Sequence, residues 1–249
     1  MMDIQPRTPA IIPETHAVCG FTTRNGGVSS APFNSLNLGF YTADNAANVA
    51  ENHSLLHTFL HIDSAGTALM EQVHGSNVSA VSAGGRYPST DSLITSNTNI
   101  MLGVLVADCI PLLLYDPKRK IIGAIHCGWR PIVDGIAGQA LRMFTDEFGS
   151  DPSDVAAVMG PSAGPCCYEI GGEVAERLRP SSVISRDGAL YADLRAELGD
   201  HLSSAGISRP NIEIFPDCTI CCGKLYFSHR RDGINSGRMM GYIMMKDKF

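Results

Sequence analysis

The chain has 249 residues, with 19 basic and 25 acidic side chains and a formal net charge of −6. That length suits one large domain or two small ones, and a hydrophobic share of 44% supplies a core able to cover about 70–75% of the unfolded surface without staples. The acidic balance excludes a general binder of nucleic-acid backbones, which needs a basic surface, but leaves room for a small anion held by a few arginines.

The opening stretch M-M-D-I-Q-P-R-T-P-A is polar and proline-broken, unlike a basic segment leading into an apolar one. Segment 22–38, rich in Gly, Asn and Ser, reads as a loop around the turn Asn25-Gly26-Gly27. Segment 45–62 reads as a helix, with Val49, Leu55, Leu56, Phe59 and Leu60 near a 3.6-residue period. Strands are predicted at 68–74, 101–106, 112–115 and 120–126. The most apolar run, 101–115, is too short to span a bilayer and is interrupted by Asp108 and Pro111. A soluble cytoplasmic protein with no membrane segment is therefore expected.

Pro131 is placed at the start of a helix whose apolar face is Ile132, Val133, Ile136, Ala140, Met143 and Phe144. Short strands follow at 155–159 and 211–215, and a helix over 191–205 is closed by Gly206 as a left-handed cap. Strands and helices alternate, but too irregularly for a parallel barrel. The fold class predicted is α/β, or mixed α+β.

Eight cysteines occur, at 19, 109, 127, 166, 167, 218, 221 and 222. Without an export signal they do not form a disulfide framework; such thiols are free, catalytic or metal-bound. His74 and His126 end predicted strands, and Cys109 follows a third. Ligand sites in sheet proteins gather beyond strand ends, and three N/S ligands with one open position make a catalytic zinc pattern. Asp108, beside Cys109, is a candidate to orient a ligand imidazole or act as general base; the alternative is a turn-capping acid.

Other clusters read less productively. His53, His57 and His61 recur every four residues and are expected on a solvated helix face. Cys218-x-x-Cys221-Cys222 is half of a zinc knuckle, but the adjacent pair Cys166-Cys167 lacks the spacing of a second half, so no second tetrahedral site is expected. The loop from Gly160 to Pro165 reads as a plain turn in preference to an anion cradle, and Arg24, Arg130, Arg230, Arg231 and Arg238 all lie in turn contexts.

Seven motifs in one order carry a resemblance: T-R-N-G-G-V-S at 23–29, S-L-N-L-G at 35–39, Q-V-H-G at 72–75, A-D-C-I-P at 107–111, H-C-G-W-R at 126–130, G-P-S-A-G-P-C-C-Y-E-I at 160–170 and F-S-H-R-R-D-G at 227–233. Together they resemble the zinc purine nucleoside phosphorylases long described as polyphenol oxidases or laccases, some of whose bacterial members are called peptidoglycan editing factors. The resemblance spans nearly the whole chain and implies one such domain over 1–249. It implies an α/β sandwich with internal duplication, sheets flanked by helices, similar to bacterial toxin cysteine hydrolases. It implies zinc on His74, Cys109 and His126, and phosphorolysis of adenosine, inosine, guanosine and methylthioadenosine, with some adenosine deamination. Two departures stand out: Cys127 and Pro131 replace the family's usual Ala and Gly around the second histidine, and His229 stands where Tyr is usual. The first raises the prospect of an extra thiol near the metal.

For phosphorolysis, Arg24 and Arg230 are the expected anion contacts. A multicopper oxidase needs many imidazoles in H-x-H pairs, and eight histidines here include no such pair. A metal-free hydrolase with Cys109 as nucleophile and His126 as base, and a non-enzymatic metal-binding module, are the remaining alternatives.

Overall fold

The computed structural model describes residues 4–246 of the chain. The first strand, β1 (Ala17–Phe21), precedes the predicted loop, and α1 (Ala46–Leu60) begins where the Asn45 side chain accepts from the Ala47 N–H. Four short strands follow: β2 (Thr67–Met70), β3 (Val78–Ala80), β4 (Gly85–Tyr87) and β5 (Ser92–Thr95). Then come the three long strands β6 (Met101–Val106), β7 (Ile110–Asp116) and β8 (Ile121–Cys127). The helix predicted from Pro131 is two helices, α2 (Trp129–Val133) and α3 (Ile136–Asp146), parted at Gly135, whose φ of 79° is left-handed. The remainder runs β9 (Ala156–Met159), β10 (Glu169–Ile170), α4 (Gly172–Ala175), β11 (Val183–Arg186), β12 (Ala189–Ala192), α5 (Leu194–Ser204), β13 (Ile212–Ile214), α6 (His229–Asp232) and β14 (Met239–Met245).

Two predicted boundaries move for identifiable reasons. Tyr191 belongs to β12 and not to a helix, because Asp193 caps α5 by accepting from the Arg195 and Ala196 N–H groups. The strand predicted over 68–74 stops at Met70, and His74 lies on the loop beyond it with φ +57°. Gly206 does end α5, at φ +104°.

One sheet has the order β1-β14-β6-β2-β4 and a second β13-β9-β7-β8-β5-β3; both mix parallel and antiparallel pairs. A small third sheet is β10-β12-β11. The alternation of side chains along each strand sorts them into layers. Leu102, Val104 and Val106 of β6 meet Leu113 and Tyr115 of β7 and Ile122 and Ala124 of β8 between the two large sheets. The opposite residues, Leu112 and Leu114 of β7 with Ile121 and Ile125 of β8, lie under Phe144 of α3 and Leu198 of α5. On the far side, Leu69, Met101 and Met240 of the first sheet are covered by Leu56 of α1 and by Leu36 and Leu38. The result is helix, sheet, sheet, helix. Central strands buried on both faces read as continuous apolar runs, which is the pattern of 101–115. Among the described residues no helix is long and apolar enough to cross a membrane.

Candidate metal centre

His126 shares the inner face of β8 with Ile122 and Ala124, four and two residues behind it, so the strand's own parity aims it into the rim of the inter-sheet space. Cys127, next in line, takes the opposite direction into the helix-side core and is fully buried. It is therefore not an extra thiol on the site, and burial, the Cys109 charge and Asp91 push its thiol well up. Cys109 sits at the turn between β6 and β7, after Asp108 in a left-handed conformation at φ +89°.

His74, Cys109 and His126 come together: one ligand atom from each lies within 4.8 Å of the others. The His74 Nε2 is 3.9 Å from the Cys109 Sγ, and the two imidazoles meet edge to face at 4.6 Å between ring centroids. A Cβ placed on Gly128 would stand 3.1 Å from His74 and 3.2 Å from the Cys109 Sγ, so the bare backbone there leaves the room in which the three groups meet.

Asp91, which the motifs did not single out, holds this arrangement from behind. Its fully buried carboxylate lies 2.8 Å from the His126 Nδ1 and accepts the backbone N–H groups of Val73, His74 and Gly75. The same residue's backbone carbonyl accepts the His126 N–H. One side chain thus sets the ring orientation of one histidine and the loop bearing the other. The only trace of it in the sequence is a lone acid just ahead of the apolar S-L-I-T run. Burial penalises charge on both the Cys109 thiol and the His126 imidazole. Their mutual attraction overcomes it, aided by His74 on the thiol and Asp91 on the imidazole: Cys109 is lowered to about 6 and His126 raised to about 9.

Asp108 does something different from orienting an imidazole. Its Oδ1 accepts from the Thr219 hydroxyl at 2.7 Å, and its Oδ2 accepts from the Ser228 hydroxyl and the Arg230 N–H. It caps the turn into α6 and pins two distant segments to the Cys109 turn, while still lining the cavity.

That cavity, of about 640 Å³, opens in front of His74, Cys109 and His126. Arg86, Arg130, Arg230 and Arg238 line it, with Phe40, Trp129 and Tyr168. Arg130 stacks over Trp129, Arg86 over Phe40 and Arg230 over Tyr168. Arg24 is not on this wall. Its guanidinium donates to the carbonyls of Pro32, Asn34 and Gly223 and lies over Phe227, tying the 22–38 loop to the C-terminal segment. Those carbonyls take up its donors, and it is not among the residues that line the cavity. Arg231 is likewise occupied by the carbonyls of Thr219, Ile220 and Tyr226.

The loop from Gly160 is the plain turn expected, its N–H groups taken by Pro111, Asp217, Asp108 and the Cys218 sulfur. The histidine row on α1 is not a solvated face: His53 is buried against Phe40 and bonds the Leu38 carbonyl, and His57 meets the Thr67 hydroxyl. Contrary to the spacing argument, Cys166, Cys167, Cys218 and Cys221 gather with their sulfurs within 4.8 Å of one another.

A family model described as multi-copper polyphenol oxidoreductase laccase matches residues 18–246. Among curated proteins, the chain is 32% identical over 247 residues to a Bacillus subtilis protein named purine nucleoside phosphorylase YlmD, covering 92% of this chain and 89% of that one. It is 35% identical over 238 residues to the Streptomyces coelicolor purine nucleoside phosphorylase SCO2081, covering 91% and 94%. Among solved structures, the Bacillus licheniformis hypothetical protein YfiH superposes with a TM-score of 0.89 at 33% identity, over 92% of this chain and 93% of that one.

Proposed function

The chain belongs to the family described as multi-copper polyphenol oxidoreductase laccase, and we propose that it is a zinc-dependent purine nucleoside phosphorylase, with the metal on His74, Cys109 and His126. The observation that carries this reading is the convergence of two imidazoles and one thiol on a cavity walled by arginines and aromatic rings. The names of the relatives at 32% and 35% identity point the same way.

The donors fit zinc. Two nitrogens and a sulfur are its common ligand types, and three of them leave one position for substrate. Asp91 occupies the His126 Nδ1, which leaves Nε2 as the ligating atom, and a carboxylate behind a ligand imidazole is the usual supporting arrangement. The lowered Cys109 thiol is the ionised form a metal requires. Bound there, zinc supplies a Lewis acid for a substrate oxygen or nitrogen.

The chain's own residues account for the rest. Arg230, with Arg86, Arg130 and Arg238, offsets the charge of inorganic phosphate and orients it towards the sugar. Phe40, Trp129 and Tyr168 offer faces to a planar purine. A phosphate oxygen bonds to C1′ of the ribose as the N-glycosidic bond breaks; its electron pair leaves on the base, which takes up a proton, giving ribose 1-phosphate and free purine. Asp108 acts as a positioning residue for the Cys109 turn and for Arg230. Coupled copper chemistry fits poorly: of the described histidines only His74, His126 and His229 line the cavity.

The test is to incubate metal-analysed protein with adenosine or inosine, with and without phosphate. Free base released only with phosphate, from protein carrying zinc, supports the proposal; inosine formed from adenosine without phosphate adds deamination. Metal-free protein that leaves every nucleoside intact, and loses a hydrolase activity when Cys109 is alkylated, assigns the Cys109–His126 pair to nucleophilic chemistry instead. Several coppers per chain would assign an oxidase.

A further inference from the structure

We propose that Cys166, Cys167, Cys218 and Cys221 hold a second zinc ion, in a closed four-thiolate site that ties the 160–167 loop to the 217–222 loop. Zinc–sulfur bonds of about 2.3 Å set the edges of a sulfur tetrahedron at about 3.8 Å. The Cys166 and Cys221 sulfurs are already 3.9 Å apart, and all four lie within 4.8 Å of one another. All four are free thiols, and one metal ion employs all four at once.

The surroundings hold the sulfurs in place. The Cys218 sulfur is buried and accepts N–H groups from Gly164, Ile220 and Cys221. A Cβ on Gly164 would lie 3.2 Å from the Cys218 Cβ and 3.4 Å from the Cys166 sulfur, so glycine lets the first loop close on the second. Arg195, buried between the loops, donates to the carbonyls of Ser162, Pro216 and Asp217 and sets a positive charge beside the sulfurs. Arg231 holds the carbonyls of Thr219 and Ile220 within the Cys218–Cys221 turn. Side chains supporting ligands in this way characterise metal sites generally.

Adjacent cysteines fail the usual spacing because neighbours in an extended chain point apart. Here Cys167 and Tyr168 both donate their N–H to the Gly164 carbonyl, a tight turn that swings both sulfurs towards Cys218. The site has a structural purpose. Tyr168, next to Cys167, lines the cavity, and Thr219, between Cys218 and Cys221, anchors Asp108. The ion would fix both walls at once without touching substrate.

The experiment uses the full chain purified without chelator. Zinc per chain is counted in wild type, Cys109→Ala and Cys221→Ser, and alkylation of each cysteine is followed by mass spectrometry before and after chelation. Wild type and Cys109→Ala should both retain a zinc that Cys221→Ser loses. In wild type, the four thiols should resist alkylation until chelator is added and then react. The alkylation arm needs no variant, so it decides the matter even if Cys221→Ser fails to fold. Zinc content that Cys221→Ser leaves unchanged, immediate alkylation of the exposed Cys166 and Cys221, or a wild-type mass two or four hydrogens lighter from one or two disulfides among the four cysteines would each overturn the proposal. A result confined to Cys109→Ala bears on the His74–Cys109–His126 centre alone.

Discussion

Asp91 and Cys109 bear on the same few cubic ångströms by different means. Asp91 acts through others: it orients His126 and gathers the N–H groups of residues 73–75. Asp91→Asn keeps the shape but removes the charge and replaces one acceptor oxygen with an NH2 group facing those donors. Loss of a supporting carboxylate typically weakens metal binding about 10–100-fold, and that is the expected drop in zinc affinity against a competing chelator. An unchanged affinity would show that His126 is held by β8 alone. Cys109 is the sharper case, because Cys109→Ala abolishes activity whether the sulfur is a ligand or a nucleophile. Cys109→Asp separates the roles: a carboxylate binds zinc at about 2.0–2.2 Å but cannot form a thioester. Retained zinc with weak phosphorolysis is expected. Wild-type protein without metal at this centre, with a hydrolase activity lost in both variants, would favour the nucleophile.

At the level of elements, the site is made by the ends of strands and the turns after them. The loop beyond β2 carries His74, the β6–β7 turn carries Cys109, and β8 itself carries His126. Helix α1 lies on the opposite flank and contributes a different property. His53 on its buried face donates Nε2–H to the Leu38 carbonyl, a bond that favours the charged ring, but burial outweighs it and lowers the group from 6.5 to about 4. The unfolded chain therefore takes up this proton first as pH falls. Stability contributed by the neutral ring is intact above pH 6.5 and is lost on the way down to about 4. At pH 5 the loss from this residue is about 2 kcal/mol. His57, also lowered by burial, adds in the same sense. Denaturant unfolding at pH 8 and pH 5 should show His53→Gln with the shallower pH dependence, whatever its absolute stability. Parallel pH profiles for the two proteins would remove His53 as the cause.

Across the whole molecule, the three proposed ligands arrive from segments separated by 35 residues between His74 and Cys109, and a further 126 − 109 = 17 to His126. No unfolded chain holds them together, so metal binds the native state preferentially. Free zinc at a hundred times its dissociation constant should add about 2.7 kcal/mol of stability. For a chain of this size that raises the melting temperature by about 5–10 °C. The part of this gain due to the centre is the part missing from His74→Ala. A variant that gains as much as wild type would place the stabilising metal elsewhere, with the four cysteines as the first place to look.

Residue types and short-range pattern were enough for the class of fold, for the apolar strands 101–106, 112–115 and 120–126, for the helix over 45–62, and for the three residues now found around one point. Each of those depends on local periodicity or on a motif carried within a few residues. What only the folded structure decided depends on contacts between segments distant in the chain. Whether Arg24 or Arg86 faces the cavity depends on which carbonyls compete for its donors, and Pro32, Asn34 and Gly223 claim Arg24. Asp91 earns its place through a partner 35 residues away. The four sulfurs meet because a turn at Gly164 and a parallel bridge from Ser162 to Cys218 join loops more than 50 residues apart. Such pairings leave no period in the sequence, since hydrogen bonds and metal-ligand geometry constrain positions in space, where sequence spacing does not reach.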